Sequence, residues 1–260
     1  MNRLKKVFEN SKGKLLNIYF TAGYPRLDDT EVTLKALIEE GVDMIEIGMP
    51  YSDPMADGPT IQESSKIALD NGLTINTLFN QVESMAKNTN TPFILMGYLN
   101  QMMQFGVERF LDRCVECSIE TLIIPDLPPD LYHEEYKSLF DEKGVSVVFL
   151  ITPQTSKERI QYIDSISNSF IYVVSDSSIT GKTKEISSEQ QEYFQRIRDM
   201  KLNNPIMIGF GISDNKSFEN AVAYADGAII GSAFIKAIGN KKEDQSIVDV
   251  VRNFVNDIKG

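Results

Sequence analysis

Residues 30–49 read TEVTLKALIEEGVDMIEIGM. The first eleven carry apolar residues at helical spacing, and Gly41 follows where a helix would end in a left-handed glycine. The last seven form a short apolar run that suits a strand. This helix, glycine and strand unit recurs along the chain. Apolar runs stand at LLNIYFTA (15–22), DMIEIGM (43–49), PFILMGY (92–98), TLIIPDL (121–127), SVVFLI (146–151), FIYVVS (170–175), PIMIGF (205–210) and DGAIIGS (226–232), eight in all. Amphipathic segments between and after them include 107–116, 130–143, 156–166, 188–200 and 245–258. Gly72 and Gly144 are further expected helix terminators, and Asp29 and Ser188 are the expected N-caps.

Continuous apolar strands alternating with helices imply parallel strands covered on both faces. Eight such units predict an α/β fold, a TIM (β/α)8 barrel formed as a single domain over residues 1–260. An open doubly wound sheet is the alternative. Three additions to the minimal barrel are expected: an N-terminal helix around 2–10, two helices (59–71 and 74–86) in the long loop 2, and a short helix at 233–240 in loop 8, with the last helix starting near Asp244. Loop 6 (176–187, DSSITGKTKEIS) is polar and lacks helical period. Loops 2 and 6 both leave the C-terminal end of a strand, where barrel enzymes build their sites.

The chain has 260 residues, 42% of them hydrophobic, and a formal net charge of −11. That balance excludes the basic face a nucleic-acid binder needs. An anionic substrate would have to be held by local backbone N–H groups against the global field. His133 is the only histidine, and Cys114 and Cys117 are the only cysteines. A tetrahedral metal site needs four ligands, so the C-x-x-C pair reads as two reduced, half-buried thiols and no metal is expected. No stretch reaches the roughly 18–20 apolar residues of a membrane span. The charged start lacks a signal-peptide core, so the expected location is the cytoplasm.

Within DMIEIGM, alternation puts Ile45 and Ile47 on one face and Met44, Glu46 and Gly48 on the other. The apolar pair suits the helix layer, which directs Glu46 into the barrel. A carboxyl group there is costly when charged, and desolvation raises its pKa into the range of a general acid. The competing reading is an architectural glutamate bonded to backbone or to a tyrosine hydroxyl. Asp57, in ADGPTIQ, reads equally well as turn chemistry ahead of a helix opened by Pro59, and Asp53 has the same turn reading.

GFGIS (209–213) leaves strand 7 and GSA (231–233) leaves strand 8. Glycine backbones and a helix N-terminus at those two loops form a phosphate site in many barrels. Gly211, Gly231 and Ser232 are the candidates, with Gly181 able to close the site from loop 6.

The segment IEIGMPYSDPMADGPTIQ (45–62) closely resembles the signature of the tryptophan synthase alpha chain family. The resemblance continues through YFTAGYP (19–25), LMGYLN (95–100), LIIPDLP (122–128), FIYVVSDSSITG (170–181), GFGIS (209–213) and DGAIIGSA (226–233). It implies a lyase that cleaves indole-3-glycerol phosphate to indole and glyceraldehyde 3-phosphate by a retro-aldol route. Glu46 then matches the catalytic glutamate, which protonates indole C3 and handles the glycerol hydroxyl proton. Asp57 matches the catalytic aspartate that stabilises the cationic indolenine. Tyr172 matches a tyrosine lining the site, Phe210 a phenylalanine packed on the indole, and Thr180 a loop 6 threonine that bonds the aspartate. Gly181, Gly211, Gly231 and Ser232 match phosphate-site positions. Asp53, Pro54 and Asn100 match residues facing a pyridoxal-phosphate-dependent beta chain, with which the family forms an alpha2beta2 tetramer; the alpha chain itself needs no cofactor. Asp176 departs from the basic or small residue many members carry there. A stand-alone lyase releasing free indole, a non-catalytic activating barrel and another phosphate-binding barrel enzyme, such as an isomerase, are the alternatives.

Overall fold

The computed structural model describes residues 2–11, 13–175, 187–209 and 211–260. Eight parallel strands close into a barrel in sequence order. They are β1 (Leu15–Thr21), β2 (Met44–Gly48), β3 (Phe93–Met96), β4 (Thr121–Ile123), β5 (Ser146–Ile151), β6 (Ile171–Val174), β7 (Ile206–Gly209) and β8 (Gly227–Ile230). The helices of the first half are α1 (Arg3–Asn10), α2 (Asp29–Glu39), α3 (Pro59–Asp70), α4 (Ile75–Lys87), α5 (Leu99–Phe105) and α6 (Val107–Glu116). Those of the second are α7 (Pro129–Leu131), α8 (Lys137–Lys143), α9 (Lys157–Ile166), α10 (Ser188–Asp199), α11 (Asn215–Val222), α12 (Ser232–Gly239) and α13 (Ile247–Lys259). A π-helical turn, Tyr132–Tyr136, joins α7 to α8. The expected additions to the barrel are therefore present: α1, the α3–α4 pair and α12.

Strand alternation sorts the apolar residues into two cores. Ile45, Ile47, Leu95, Leu122, Val147 and Ile208 pack toward the helices. Leu15, Met44, Ile94, Ile123, Val148 and Met207 fill the barrel interior, closed at one end by Leu4 with Val7 and Phe8 of α1. Glu46 shares the parity of Met44 and pairs in register with Tyr19 of β1. Interior space is made by glycine on the neighbouring strand. A Cβ on Gly48 would stand 2.1 Å from the Tyr19 hydroxyl oxygen, and one on Gly209 would stand 2.1 Å from that of Tyr172. Both tyrosines are buried, so neither ring can swing into solvent. Gly48→Ala is therefore expected to cost about 2–3 kcal/mol through overpacking. Denaturant unfolding checks this, and an unchanged midpoint would show that Tyr19 has room to move.

Several boundaries differ from the sequence expectation. β3 stops at Met96 and β4 at Ile123 rather than at 98 and 127. Beyond β4 the chain turns, with Leu127 N donating to Ile124 O across Pro125, which has no N–H to extend a ladder. β8 ends at Ile230, so Ser232 opens α12 instead of closing a strand. The N-caps fall one residue earlier than expected. Ser187, not Ser188, accepts from Gln190 N and forms a capping box with its side chain. Asp28 stands at the cap of α2, while Asp29 lies in the first turn and binds the Arg26 guanidinium. The last helix begins at Ile247 behind a Ser246 cap, later than Asp244. Helices α5 and α11 were not anticipated. Gly41, Gly72 and Gly144 do take positive φ, at 66°, 87° and 69°. Cys114 and Cys117 are both free and fully buried, deeper than expected.

Candidate active site

Glu46 sits inside the barrel, 1% exposed, with Asn17 Nδ2 of β1 donating to its Oε2 at 3.0 Å. Its partner is thus a side-chain amide rather than backbone or a tyrosine. Burial pushes its pKa up to about 8; the Asn17 hydrogen bond opposes this and the nearby Asp57 charge adds to it. Group by group, the surroundings favour a carboxyl that holds its proton near neutrality and can release it.

Asp57 takes the turn position that one of its two readings expects. Its backbone N–H donates to Pro54 O in a tight turn, and α3 starts two residues later at Pro59 behind a Gly58 cap. Its carboxylate turns toward the barrel mouth and accepts from the Tyr98 hydroxyl at 3.0 Å. Tyr98 in turn accepts from Ala56 N at 3.1 Å and stacks on Tyr51, with ring centroids 4.9 Å apart. Partial burial raises Asp57 to about 6, with the Tyr98 bond opposing the shift. At pH 7 the pair therefore holds different protonation states: Glu46 mostly neutral, Asp57 mostly charged. Such a division suits an acid beside a fixed negative charge.

Tyr19 and Tyr172 complete the interior surroundings. Burial raises both phenols, and the charges of Glu46 and Asp57 act on both, so all four groups share one electrostatic neighbourhood. Tyr19 also lies against the other end of the site, since a Cβ on Gly231 would meet its ring at 3.2 Å. Gly231 caps α12, an eight-residue helix whose first turn has no side-chain cap among the described residues. Exposed Ser232 is its first residue. Gly211, exposed with φ 77°, follows β7 on the adjacent loop. Gly211 and Gly231 thus lie on the loops after the adjacent strands β7 and β8, and Gly231 and Ser232 stand at the N-terminus of α12. Thr180, Gly181 and Phe210 lie outside the described residues, as does Asp176.

The three residues expected to face a partner cluster on loops 2 and 3. Asp53 and Asn100 are exposed, Pro54 is half-buried, and Asn100 Nδ2 donates to the Tyr51 hydroxyl at 3.0 Å. Gln101 Nε2 stitches the same two loops by donating to Pro50 O at 2.8 Å. Beside them lies a cavity of about 450 Å3 lined by Pro50, Tyr51, Leu73, Ile75 and Phe105. A larger one of about 700 Å3 opens between α9 and α10 on the outer layer, away from the carboxylates.

Among the described residues no group of three or more His, Cys, Asp or Glu is placed to hold a metal ion. No helix among them is long and apolar enough to cross a membrane. Asn17, Tyr19 and Tyr98 were missed from the sequence as site residues. Asn17 and Tyr19 were open to the alternation argument used for Glu46, because both interrupt LLNIYFTA at interior parity. Tyr98 carried no such signal.

Comparison with known proteins places these features in context. The family model described as "Tryptophan synthase alpha chain" matches residues 4–259. A tryptophan synthase alpha chain from Christiangramia forsetii is 54% identical over 238 residues, covering 92% of this chain and 93% of the relative. The crystal structure of a tryptophan synthase alpha chain from Legionella pneumophila superposes with a TM-score of 0.90 at 30% identity, covering 100% of this chain and 96% of that one. A chain of a tryptophan synthase complex from Pyrococcus furiosus superposes with a TM-score of 0.86 at 32% identity, covering 96% and 99%.

Proposed function

From the premise that this chain belongs to the tryptophan synthase alpha chain family, we propose that Glu46 and Asp57 are the catalytic pair of its reaction. The family's reaction is the cleavage of indole-3-glycerol phosphate in tryptophan biosynthesis, and the chain is a carbon–carbon lyase. The observation that carries the residue assignment is the placement of the two carboxyl groups: Glu46 buried inside the barrel against Asn17, and Asp57 held on loop 2 by the Tyr98 hydroxyl.

Glu46 begins protonated and gives its proton to indole C3, making the ring a cation with its charge shared by the ring nitrogen. Asp57, ionised and anchored by Tyr98, stabilises that cation through the ring N–H. Glu46, now a carboxylate, takes the proton of the glycerol hydroxyl next to the ring. The carbon–carbon bond breaks, its electron pair returns to the indole, and the hydroxyl carbon becomes the aldehyde of glyceraldehyde 3-phosphate. One proton is given and one regained, so the enzyme ends as it began. Tyr172 lines the indole pocket with Phe210. Gly181, Gly211, Gly231 and Ser232 hold the phosphate through backbone and hydroxyl donors. Thr180 reaches Asp57 from loop 6. Residues 1–260 act as one domain that requires no cofactor of its own.

The partner in this reading is a beta chain carrying pyridoxal phosphate, in an alpha2beta2 assembly in the cytoplasm. Asp53, Pro54 and Asn100 face it. The exposed methionines Met55 of loop 2 (92% exposed) and Met103 of α5 (55% exposed) supply apolar area for such a contact. The likeness to a chain of the Pyrococcus furiosus complex supports it.

The test is incubation of the purified chain with indole-3-glycerol phosphate, with and without a beta chain. Indole and glyceraldehyde 3-phosphate are expected in equal amounts, faster when the beta chain is present. Indole formation unaffected by any beta chain would favour a stand-alone lyase.

A further inference from the structure

Asn17 is fully buried in the barrel interior, and its amide is only half used. Nδ2 donates to Glu46 Oε2 at 3.0 Å, while Oδ1 has no hydrogen-bond partner among the described residues. An unpaired buried carbonyl costs about 1–3 kcal/mol, so its place beside a group that changes protonation is informative. Its neighbours in register are apolar: Met44 on β2 and Ile229 on β8. Glu46 is the polar group this amide engages.

Resting on the assignment of Glu46 as the proton carrier, we propose that Asn17 is its positioning residue, an amide that serves both protonation states by turning over. The ionised carboxylate needs a donor, which Nδ2 supplies. The protonated carboxyl needs an acceptor for its O–H, and half a turn of the Asn17 amide presents Oδ1 in the place of Nδ2. Since Glu46 gives one proton and takes another in each turnover, a fixed donor would leave the O–H of the protonated carboxyl without a partner. A side-chain amide carries a donor and an acceptor on one rotor and can match both. No proton passes to Asn17, so the balance at Glu46 is unchanged.

The other groups facing Glu46 differ from Asn17 in chemistry. Asp57, from loop 2, adds a like charge; Tyr19 of β1 and Tyr172 of β6 are phenols that burial keeps neutral. β3, which pairs with β2 on its other side, contributes Ile94 and Met96 at interior parity. Asn17 is therefore the neutral amide in the set, and its bond favours the ionised form of Glu46.

The experiment is a pH titration of the wild-type chain by NMR, following the Glu46 carboxyl carbon and the Asn17 side-chain amide together. Both are expected to move with one midpoint, and the Asn17 amide environment to differ between the two limits. An Asn17 amide that stays constant through the Glu46 titration overturns the proposal without any variant being made. In Asn17→Leu, which keeps volume but has no donor, the Glu46 midpoint is expected to rise by about one pH unit. The high-pH limb of kcat/KM should follow it, with kcat lowered about tenfold and KM little changed. A wild-type midpoint and limb in a folded Asn17→Leu protein would reduce Asn17 to packing. If Glu46→Gln instead kept full turnover, the assignment of Glu46 would fail while the coupled titration could still be read.

Discussion

Glu46→Gln is expected to lose indole-3-glycerol phosphate cleavage by roughly a thousandfold or more and, at the same time, to make the protein more stable. The loss follows from chemistry: an amide of the same shape cannot give a proton to indole C3 or take one from the glycerol hydroxyl. The gain follows from linkage. A carboxyl group raised from 4.5 to about 8 by folding binds its proton more tightly in the native state than in the unfolded chain. Between those two values the native state holds more protons, so stability falls as pH rises, and the loss is complete above about 8. Glutamine removes the slope. At pH 8 the variant should therefore exceed wild type by something on the order of a few kcal/mol, and the difference should vanish below pH 4.5. Paired activity assays and denaturant titrations at several pH values check both halves. A variant with near-normal turnover, or one whose stability follows wild type at every pH, would remove Glu46 from its proposed role.

The barrel and Glu46 were legible because both follow from a short-range rule. Alternation within DMIEIGM set Glu46 against Ile45 and Ile47, and the structure divides them between the interior and the helix layer on that parity. The same rule applied to LLNIYFTA exposes Asn17 and Tyr19, but a lone amide in an apolar run is less costly to bury than a carboxylate and is a weaker signal. Asp57 shows the limit of local reading. Its turn was visible in ADGPT, whereas its anchor, Tyr98, lies 41 residues away on another loop. The parallel pairing of β2 with β3 brings those loops together, through contacts such as Gln101 to Pro50 O. The unexpected helices have local causes too. α11 buries only Phe218 and Ala221, too few apolar positions to set a helical period. α5 follows β3 after only Gly97 and Tyr98, so LMGYLN blends strand and helix. The caps at Ser187 and Asp28 were displaced by one residue because SS and DD each offer two equivalent side chains.

Asp57→Asn tests the other half of the pair, and its signature lies in the pH profile as much as in the rate. Asparagine can still accept from the Tyr98 hydroxyl, so the loop geometry and the Ala56–Tyr98 bond should persist. What disappears is the negative charge opposite the indolenine nitrogen, where removal of one preorganised electrostatic group costs about 10²–10³ in kcat. In wild type, kcat/KM should fall as pH drops through about 6, because Asp57 must be ionised. It should fall again as pH rises through about 8, because Glu46 must begin protonated. The two limbs belong to an interacting pair, so changing one member moves the other. Asp57 raises Glu46 by like-charge repulsion. Taking that charge away should abolish the low-pH limb and draw the high-pH limb downward. A purely structural Asp57 would still let the high-pH limb move, but predicts no loss of the low-pH limb and little loss of rate, since the turn, the α3 start and the Tyr98 contact would all survive. Retention of a limb near 6, or a rate within threefold of wild type, would assign that titration and the stabilising charge to another group.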